Sequence, residues 1–386
     1  MPLYRGAALL FLNTTLVLLL FELLAAITLR LLPPRPDVAT RARQAYHARI
    51  EALSYYAVQP WAQAFWEEHW AVERRQHYHP FTVWRIAPFE GRYVHIGDSG
   101  LRRVPGADCG PGTFRVFVFG GSAAWGWGAP DSATIPALLQ QRMSARSQRA
   151  CIVNFAQNAF VSTQEVIALL QALQAGDVPG LALFYDGYND IHAARDFHRA
   201  GTHMMLTRIR DRFQQTDGTV GPGPLRTLVS ATNTFALLRR LVARPRRLPG
   251  LGEQSPDTAD TTLTQRLADD VVRTYLTNVS VARALGVRFG FHVVFVWQPL
   301  LPFVEKPLSS EETRMLDNLG DMSLARAVDE RIRAVSTRAN LLDLRDVFAG
   351  DSASRWIDFV HLNPDGNRIV AARIDIHIGS LRESAR

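Results

Sequence analysis

The chain has 386 residues, of which 47% are hydrophobic and 20% are charged, and this composition excludes a largely disordered protein. The length allows one large domain with extensions, or two domains. The formal net charge is +7, but no run alternates basic and aromatic side chains, so we predict no nucleic-acid partner. The charge then reflects surface balance or attraction to an anionic membrane.

The first predicted element is an apolar helix from Ala7 to Leu29, rich in Leu, Ala and Phe. At about 1.5 Å per residue it is long enough to cross a bilayer core of about 30 Å. A cleaved signal peptide has a shorter apolar region and a small-residue cleavage site, so we predict an uncleaved transmembrane anchor within residues 1–36. Glu22 interrupts it, and snorkelling, protonation, a partner helix and simple tolerance all remain open.

Residues 37–113 are predicted to form a juxtamembrane lead-in, with a helix over 40–78 followed by irregular chain and short strands. Trp61, Phe65, Trp66 and Trp70 recur at helical spacing. We predict that they pack inside the protein, with contact at the membrane interface as the alternative.

The segment 114–386 alternates apolar runs with helical patterns. Fully apolar strands between helices predict an α/β fold with a parallel sheet covered on both faces. The segment 195–262 interrupts this pattern, and we interpret it as an insertion that forms a lid, a substrate wall or a plain surface excursion. The predicted strands are 114–119, 151–156, 181–186, 291–298 and 340–344, and the predicted helices lie near 131–146, 162–175, 263–286, 321–338 and 364–379.

Two serines follow glycine-containing turns, and only one of them has a setting suited to catalysis. Ser122 follows two glycines at the end of the 114–119 strand, with a helix predicted next. Ligands of open α/β sheets bind beyond the carboxyl ends of strands, where a helix N-terminus also offers N–H groups to an oxyanion. Ser99 lies in a literal Gly-Asp-Ser-Gly-Leu stretch, but Pro105 and Gly106 follow it closely, so no helix can start promptly there. We predict Ser122 as the nucleophile.

Three more side chains complete a serine-hydrolase constellation. Asn189 ends the third apolar run, where its amide can donate to a developing oxyanion, although the surrounding Gly-Tyr-Asn-Asp also suits an ordinary turn. Asp358 precedes His361 by three residues, a spacing that lets the carboxylate orient one imidazole nitrogen while the other accepts the serine proton. The remaining histidines, His192 among them, are predicted to lie on the surface or in loops.

These segments resemble the four blocks of the SGNH (GDSL-like) hydrolase family, of a membrane-anchored bacterial type, over roughly residues 114–380. The resemblance implies a three-layer αβα, flavodoxin-like fold with five parallel strands. It also implies an oxyanion hole made by the N–H groups of Ser122 and Ala159 and by the Asn189 side chain.

Two departures from the family pattern affect the site. The first block reads Gly-Gly-Ser-Ala where the family name has Gly-Asp-Ser-Leu, a conservative change for the chemistry. Ala159 stands where the second block has glycine. A backbone donor survives there if φ is negative, whereas a positive φ strains an alanine.

The sequence therefore predicts a serine esterase that hydrolyses acyl esters, O-acetyl esters included, through Ser122, His361 and Asp358, with no cofactor or metal. One alternative is an O-acyltransferase of envelope glycan or exopolysaccharide, and another is a non-catalytic, membrane-tethered binding protein. The predicted substrate is an acyl ester, and in the O-acetyl-esterase and O-acyltransferase hypotheses the acyl group is linked to a glycan.

Two features of the sequence bear on the side of the membrane. The apolar helix is followed by four arginines, Arg30, Arg35, Arg41 and Arg43. By the positive-inside rule, this excess of positive charge places the large domain in the cytoplasm. The resemblance implies the periplasmic side instead. Cys109 and Cys151 lack the spacing of a metal site and form either one disulfide or two buried thiols.

Overall fold

A computed structural model of the chain describes residues 2–31, 38–146, 149–216, 232–242 and 261–384. It comprises two compact units, which we call the anchor unit (residues 1–48 and 206–253) and the sheet unit (residues 49–205 and 254–386). Much of the predicted 195–262 insertion, namely 217–231 and 243–260, lies outside the described residues.

The anchor unit contains the predicted apolar helix, which runs from Pro2 to Leu31. Its segment Tyr4–Leu31 has a mean hydropathy of 2.2 over its most apolar window and is long enough to cross a membrane. The Glu22 carboxylate accepts hydrogen bonds from the N–H (3.0 Å) and the hydroxyl (2.8 Å) of Thr234. Thr234 lies in the helix Asn233–Val242, so of the alternatives left open for Glu22 the structure shows contact with a partner helix. The unit also contains the helix Leu206–Thr216.

The lead-in contains three helices, Val38–Glu51, Ser54–Ala57 and Ala62–Glu73, instead of the single predicted one over 40–78. The first break is stabilised by Glu311, which accepts hydrogen bonds from the N–H (2.8 Å) and hydroxyl (2.7 Å) of Ser54. Pro60 lacks an N–H and therefore separates the second helix from the third. The predicted packing role is confirmed for Phe65, Trp66 and Trp70, which are buried, whereas Trp61 is only partly buried.

Short strands and one disulfide complete the lead-in. Strands β1 (Gln76–His79) and β2 (Val83–Ile86) pair antiparallel, as do β3 (Phe89–Glu90) and β4 (His95–Ile96). Cys109 is bonded to Cys151, with their Cα atoms 5.0 Å apart, so the lead-in is covalently joined to the main sheet.

The main sheet has five parallel strands in the spatial order β6-β5-β7-β8-β9. If these five strands are numbered along the chain, their spatial order is 2-1-3-4-5, which is the order of flavodoxin-like folds. In this order, strands 2 and 3 lie on opposite sides of strand 1. The predicted fold class is therefore confirmed. The strands are β5 (Phe114–Gly120), β6 (Ala150–Asn154), β7 (Leu181–Asp186), β8 (His292–Trp297) and β9 (Leu342–Asp343).

Helices cover the two faces of the sheet, because the strands are apolar on both sides. Phe117 and Phe119 of β5 belong to a core shared with the helices Ser162–Gln174, Thr261–Phe289 and Ser323–Val335. The helices Ile135–Ala145 and Pro364–Ser384 form the other layer. They are joined by the buried Asp375, which pairs with Arg142 at 2.8 Å and Arg146 at 2.7 Å.

Candidate active site

Ser122 lies at the carboxyl end of β5, as the first residue of a short helix that ends at Trp125. The two preceding glycines have separate reasons to be glycine. Gly120 has φ +153°, and a Cβ atom there would lie 2.6 Å from the Tyr185 carbonyl oxygen. A Cβ atom on Gly121 would lie 2.1 Å from the Asn189 side-chain nitrogen. The close approach of Asn189 to the serine turn therefore requires a residue without a side chain.

Ser122, His361 and Asp358 form one continuous hydrogen-bond chain. The Ser122 Oγ atom lies 2.7 Å from His361 Nε2, and His361 Nδ1 lies 2.8 Å from Asp358 Oδ2. The other carboxylate oxygen of Asp358 accepts the backbone N–H groups of Val360 and His361, each at 2.8 Å. A turn of three residues thus fixes the carboxylate and the imidazole together, as the spacing predicted.

The Asp358 carboxylate is held in its charged form. Burial by itself would raise its pKa, but the His361 imidazole and the hydrogen bonds from His361 and Val360 outweigh this and lower the pKa below its ordinary value. Asp358 is therefore ionised at neutral pH and can stabilise a positive charge on the imidazole ring.

Asn189 contacts both the serine turn and the loop that contains Ala159. Its side-chain amide donates a hydrogen bond to the Phe160 carbonyl at 2.7 Å, which leaves one of its two N–H groups for another acceptor. Within the described ranges, no residue accepts the backbone N–H of Ser122 or of Ala159. Asn189 lies in the first turn of the helix Tyr188–Phe197, so the segment begins a helix and is not an isolated turn.

Ala159 has φ +63°, in the left-handed region that favours glycine. The strained alternative considered for this position is thus the one observed. Two contacts from the lead-in hold the loop: Trp84 Nε1 donates to the Asn158 carbonyl at 3.0 Å, and the fully buried Gln157 bridges β2 to the Gly100 carbonyl. Because these partners are distant in sequence, spacing alone does not reveal them.

Ser99 lies apart from this constellation, in an exposed turn in which the N–H of Gly100 donates to the Gly97 carbonyl at 2.9 Å. Its carbonyl accepts Arg85 Nη1 at 2.9 Å. In the part of the chain that the structure describes, no histidine hydrogen-bonds to its hydroxyl. Of the two candidate serines, only Ser122 meets an imidazole.

Three buried acids, Glu165, Asp186 and Asp190, lie near Asn189 and were not predicted from the sequence. Burial raises the pKa of Glu165 well above its ordinary value, that of Asp186 to about 7, and that of Asp190 as well. Asp190 also accepts the N–H (3.0 Å) and hydroxyl (2.7 Å) of Ser162. A raised pKa favours the neutral form of a carboxyl, so burial lowers the negative charge of this cluster.

Among the described residues, no group of three or more His, Cys, Asp or Glu side chains could hold a metal ion. The side chains that meet at this site supply a serine hydroxyl, a carboxylate-paired imidazole and an amide donor.

No protein-family model and no curated protein match the sequence. The structure is similar to a lipase/acylhydrolase from Enterococcus faecalis (12% identity, TM-score 0.35, 68% of this chain and 94% of that one). It is also similar to the psychrotrophic esterase EstA from Pseudoalteromonas sp. (11%, 0.35, 70% and 99%).

A third similar structure is a putative lipolytic protein of the G-D-S-L family from Desulfitobacterium hafniense DCB-2 (10% identity, TM-score 0.34, 68% of this chain and 98% of that one). The strand order of the chain itself establishes its fold. The protein thus has the three-layer architecture, with five parallel strands, that the SGNH resemblance implied.

Proposed function

We propose that the protein is a membrane-anchored serine hydrolase that cleaves ester bonds. The observation that carries this proposal is the Ser122–His361–Asp358 hydrogen-bond chain at the carboxyl end of β5. A serine, a histidine and an aspartate in this connectivity are the components of nucleophilic acyl transfer.

In the proposed reaction, Ser122 Oγ attacks the acyl carbon of the ester while His361 Nε2 takes the serine proton. The carbonyl electrons move to oxygen, and this oxyanion accepts hydrogen bonds from the N–H groups of Ser122 and Ala159 and from the Asn189 amide. Asp358 orients the imidazole and stabilises the imidazolium. His361 then gives its proton to the leaving alcohol as the ester C–O bond breaks.

The resulting acyl-enzyme is released by water. His361 takes a proton from the attacking water, the second tetrahedral intermediate collapses, and Ser122 regains its proton as the carboxylic acid leaves. A sugar hydroxyl in place of water would make the same site an O-acyltransferase. The substrate class we propose is an acyl ester, with O-acetyl esters of glycans as members of that class.

The test is covalent labelling of the full-length protein in detergent with a fluorophosphonate probe. We expect labelling of the wild type at Ser122 and none of Ser122→Ala, while Ser99→Ala is labelled like the wild type. An unlabelled wild type, with an intact fold, would favour a binding protein over a hydrolase. Product analysis of acetylated glycans, short acyl esters and lysophospholipids, with and without added glycan acceptor, separates hydrolysis from transfer.

We further propose that the sheet unit lies on the extracytoplasmic side. The Cys109–Cys151 disulfide supports this placement, because disulfides form in oxidising compartments and are rare in the cytosol. It opposes the cytoplasmic placement that the arginine count favours. In cells quenched with acid, we expect maleimide to modify neither cysteine until a reductant is added, because both are held in the disulfide. Modification of both cysteines without a reductant would place the sheet unit in a reducing compartment.

A further inference from the structure

Trp127 is stacked on the imidazole of His361. The two ring centroids are 4.5 Å apart, and the ring planes are inclined by 30°. Trp127 is only 5% exposed, so this contact lies inside the protein. The partner of the Trp127 ring is thus the histidine of the candidate triad.

The backbone around Trp127 is tied to the serine turn and to the lead-in. The Trp127 N–H donates to the Ser122 carbonyl at 2.9 Å. Arg102, which is fully buried, donates to the carbonyls of Gly126 at 2.7 Å and Ala129 at 2.6 Å, on either side of the tryptophan. The ring therefore has a fixed position relative to Ser122.

The Trp127 ring also packs against the helix Ala62–Glu73. Its ring centroid lies 5.2 Å from that of His69 and 5.8 Å from those of Trp66 and Trp70, in edge-on geometry at each contact. Trp66 and Trp70 are themselves stacked at 4.8 Å. Aromatic pairs at these separations are attractive beyond their buried area. The aromatic cluster of the lead-in thus contacts the same ring that is stacked on His361.

We propose that Trp127 is a positioning residue for His361, and that the lead-in helix Ala62–Glu73 is part of the catalytic apparatus through it. The flat indole fixes the plane of the imidazole, so that Nε2 faces Ser122 while Nδ1 faces Asp358. Its π face also lies against the ring that becomes positively charged in the reaction. The inference rests on the proposed function, because it assigns a role relative to the same histidine.

The test is steady-state kinetics and fluorophosphonate labelling of Trp127→Leu and Trp127→Phe in the full chain. Leucine fills apolar space but is not flat, so we expect kcat and the labelling rate to fall by about 10- to 100-fold, with KM changed less than about threefold. Phenylalanine restores a flat ring and should retain activity within about fivefold of the wild type. This rescue separates positioning from simple packing.

Trp297→Leu is the matched control. Trp297 is equally buried in the sheet unit, but it packs on Tyr275 and donates to Asp329. We expect it to lower thermal stability without lowering kcat per folded molecule. If Trp127→Leu does not fold, Trp66→Leu, one contact further away, is measured in its place and should lower the labelling rate in the same direction.

Three outcomes would overturn the inference. Folded Trp127→Leu could be labelled as fast as the wild type, Trp127→Phe could lose as much activity as Trp127→Leu, or Trp297→Leu could lower kcat equally. In each of these the wild type is labelled and the proposed hydrolase function stands. A wild type that is not labelled at Ser122 overturns both proposals.

Discussion

The turn at Gly97–Leu101 and the turn at Gly120–Ser122 both present a serine beside glycines, yet the structure uses them differently. The first is an exposed turn whose backbone carbonyl at Gly100 accepts a hydrogen bond from Gln157 at 2.8 Å. The second ends a buried parallel strand and directs a serine hydroxyl at an imidazole 2.7 Å away. The motif letters therefore matter less than the strand before the turn and the helix after it.

Paired substitutions of the two serines give the largest expected contrast. Ser122→Ala removes the nucleophile, and we expect kcat for a short-chain aryl ester to fall by about 10⁵- to 10⁶-fold. Ser99→Ala removes an exposed hydroxyl and should change kcat less than about twofold, with stability within about 0.5 kcal/mol. Equal losses in the two variants would remove the distinction between the turns.

Asp358→Asn sharpens the chemical side of the comparison. The asparagine amide would favour the wrong tautomer of His361 and would not stabilise a positive charge on the imidazole. We therefore expect kcat to fall by about 10⁴-fold while the fold is retained. The measurement is kcat in detergent together with the melting temperature. A loss below about tenfold would mean that Asp358 does not orient His361.

The same variant makes a prediction about pH. The folded pKa of Asp358 lies below its ordinary value of 3.8, so its stabilisation is fully present above that value. It is lost as the pH falls through the lower, folded pKa. The difference in unfolding free energy between wild type and Asp358→Asn should therefore shrink as the pH falls below about 4. A difference that grows as the pH falls below about 4 would contradict this sign.

Asn189→Ala tests whether the second turn belongs to an oxyanion site. Losing one oxyanion donor typically costs about 10²- to 10³-fold in kcat, and the Ser122 hydroxyl and the triad remain in place. We expect that loss with KM nearly unchanged, since the donor acts on the transition state. A change in KM alone would assign Asn189 to substrate binding.

Gln157→Met tests the structural role of the first turn. It leaves the Ile86 N–H and the Gly100 carbonyl without their buried partner, which should lower the unfolding free energy by about 2–3 kcal/mol. Gln141→Met, at an exposed glutamine, is the control and should change it by less than about 0.5 kcal/mol. Similar values for the two would show that the turn is not tied through Gln157.

Ala159→Gly gives the smallest expected effect. Glycine removes the backbone strain of an alanine at φ +63°, but it also makes the unfolded chain more flexible. We therefore expect the unfolding free energy to rise by up to about 1 kcal/mol, with activity retained. Ala156→Gly, in the same loop, lacks that relief and loses a buried methyl group, so it should cost about 1–2 kcal/mol. Thermal unfolding of the pair measures the difference.

The sequence by itself determined the local features. Five apolar runs between helical patterns predicted the five-stranded parallel sheet, because strand burial and helix periodicity are properties of short segments. The spacing of Asp358 and His361 predicted their contact for the same reason, since a carboxylate can reach an imidazole within one turn. The apolar run at the N-terminus likewise identified a helix long enough for a membrane.

Only the tertiary structure decided which distant segments meet. Gln157 ties the Ala159 loop to the lead-in, the Asn189 amide donates to the Phe160 carbonyl, and Trp127 contacts both His361 and the helix Ala62–Glu73. These contacts join residues far apart in the chain, and no local pattern specifies such partners. The left-handed conformation of Ala159 is decided in the same way, because long-range hydrogen bonds outweigh its local preference.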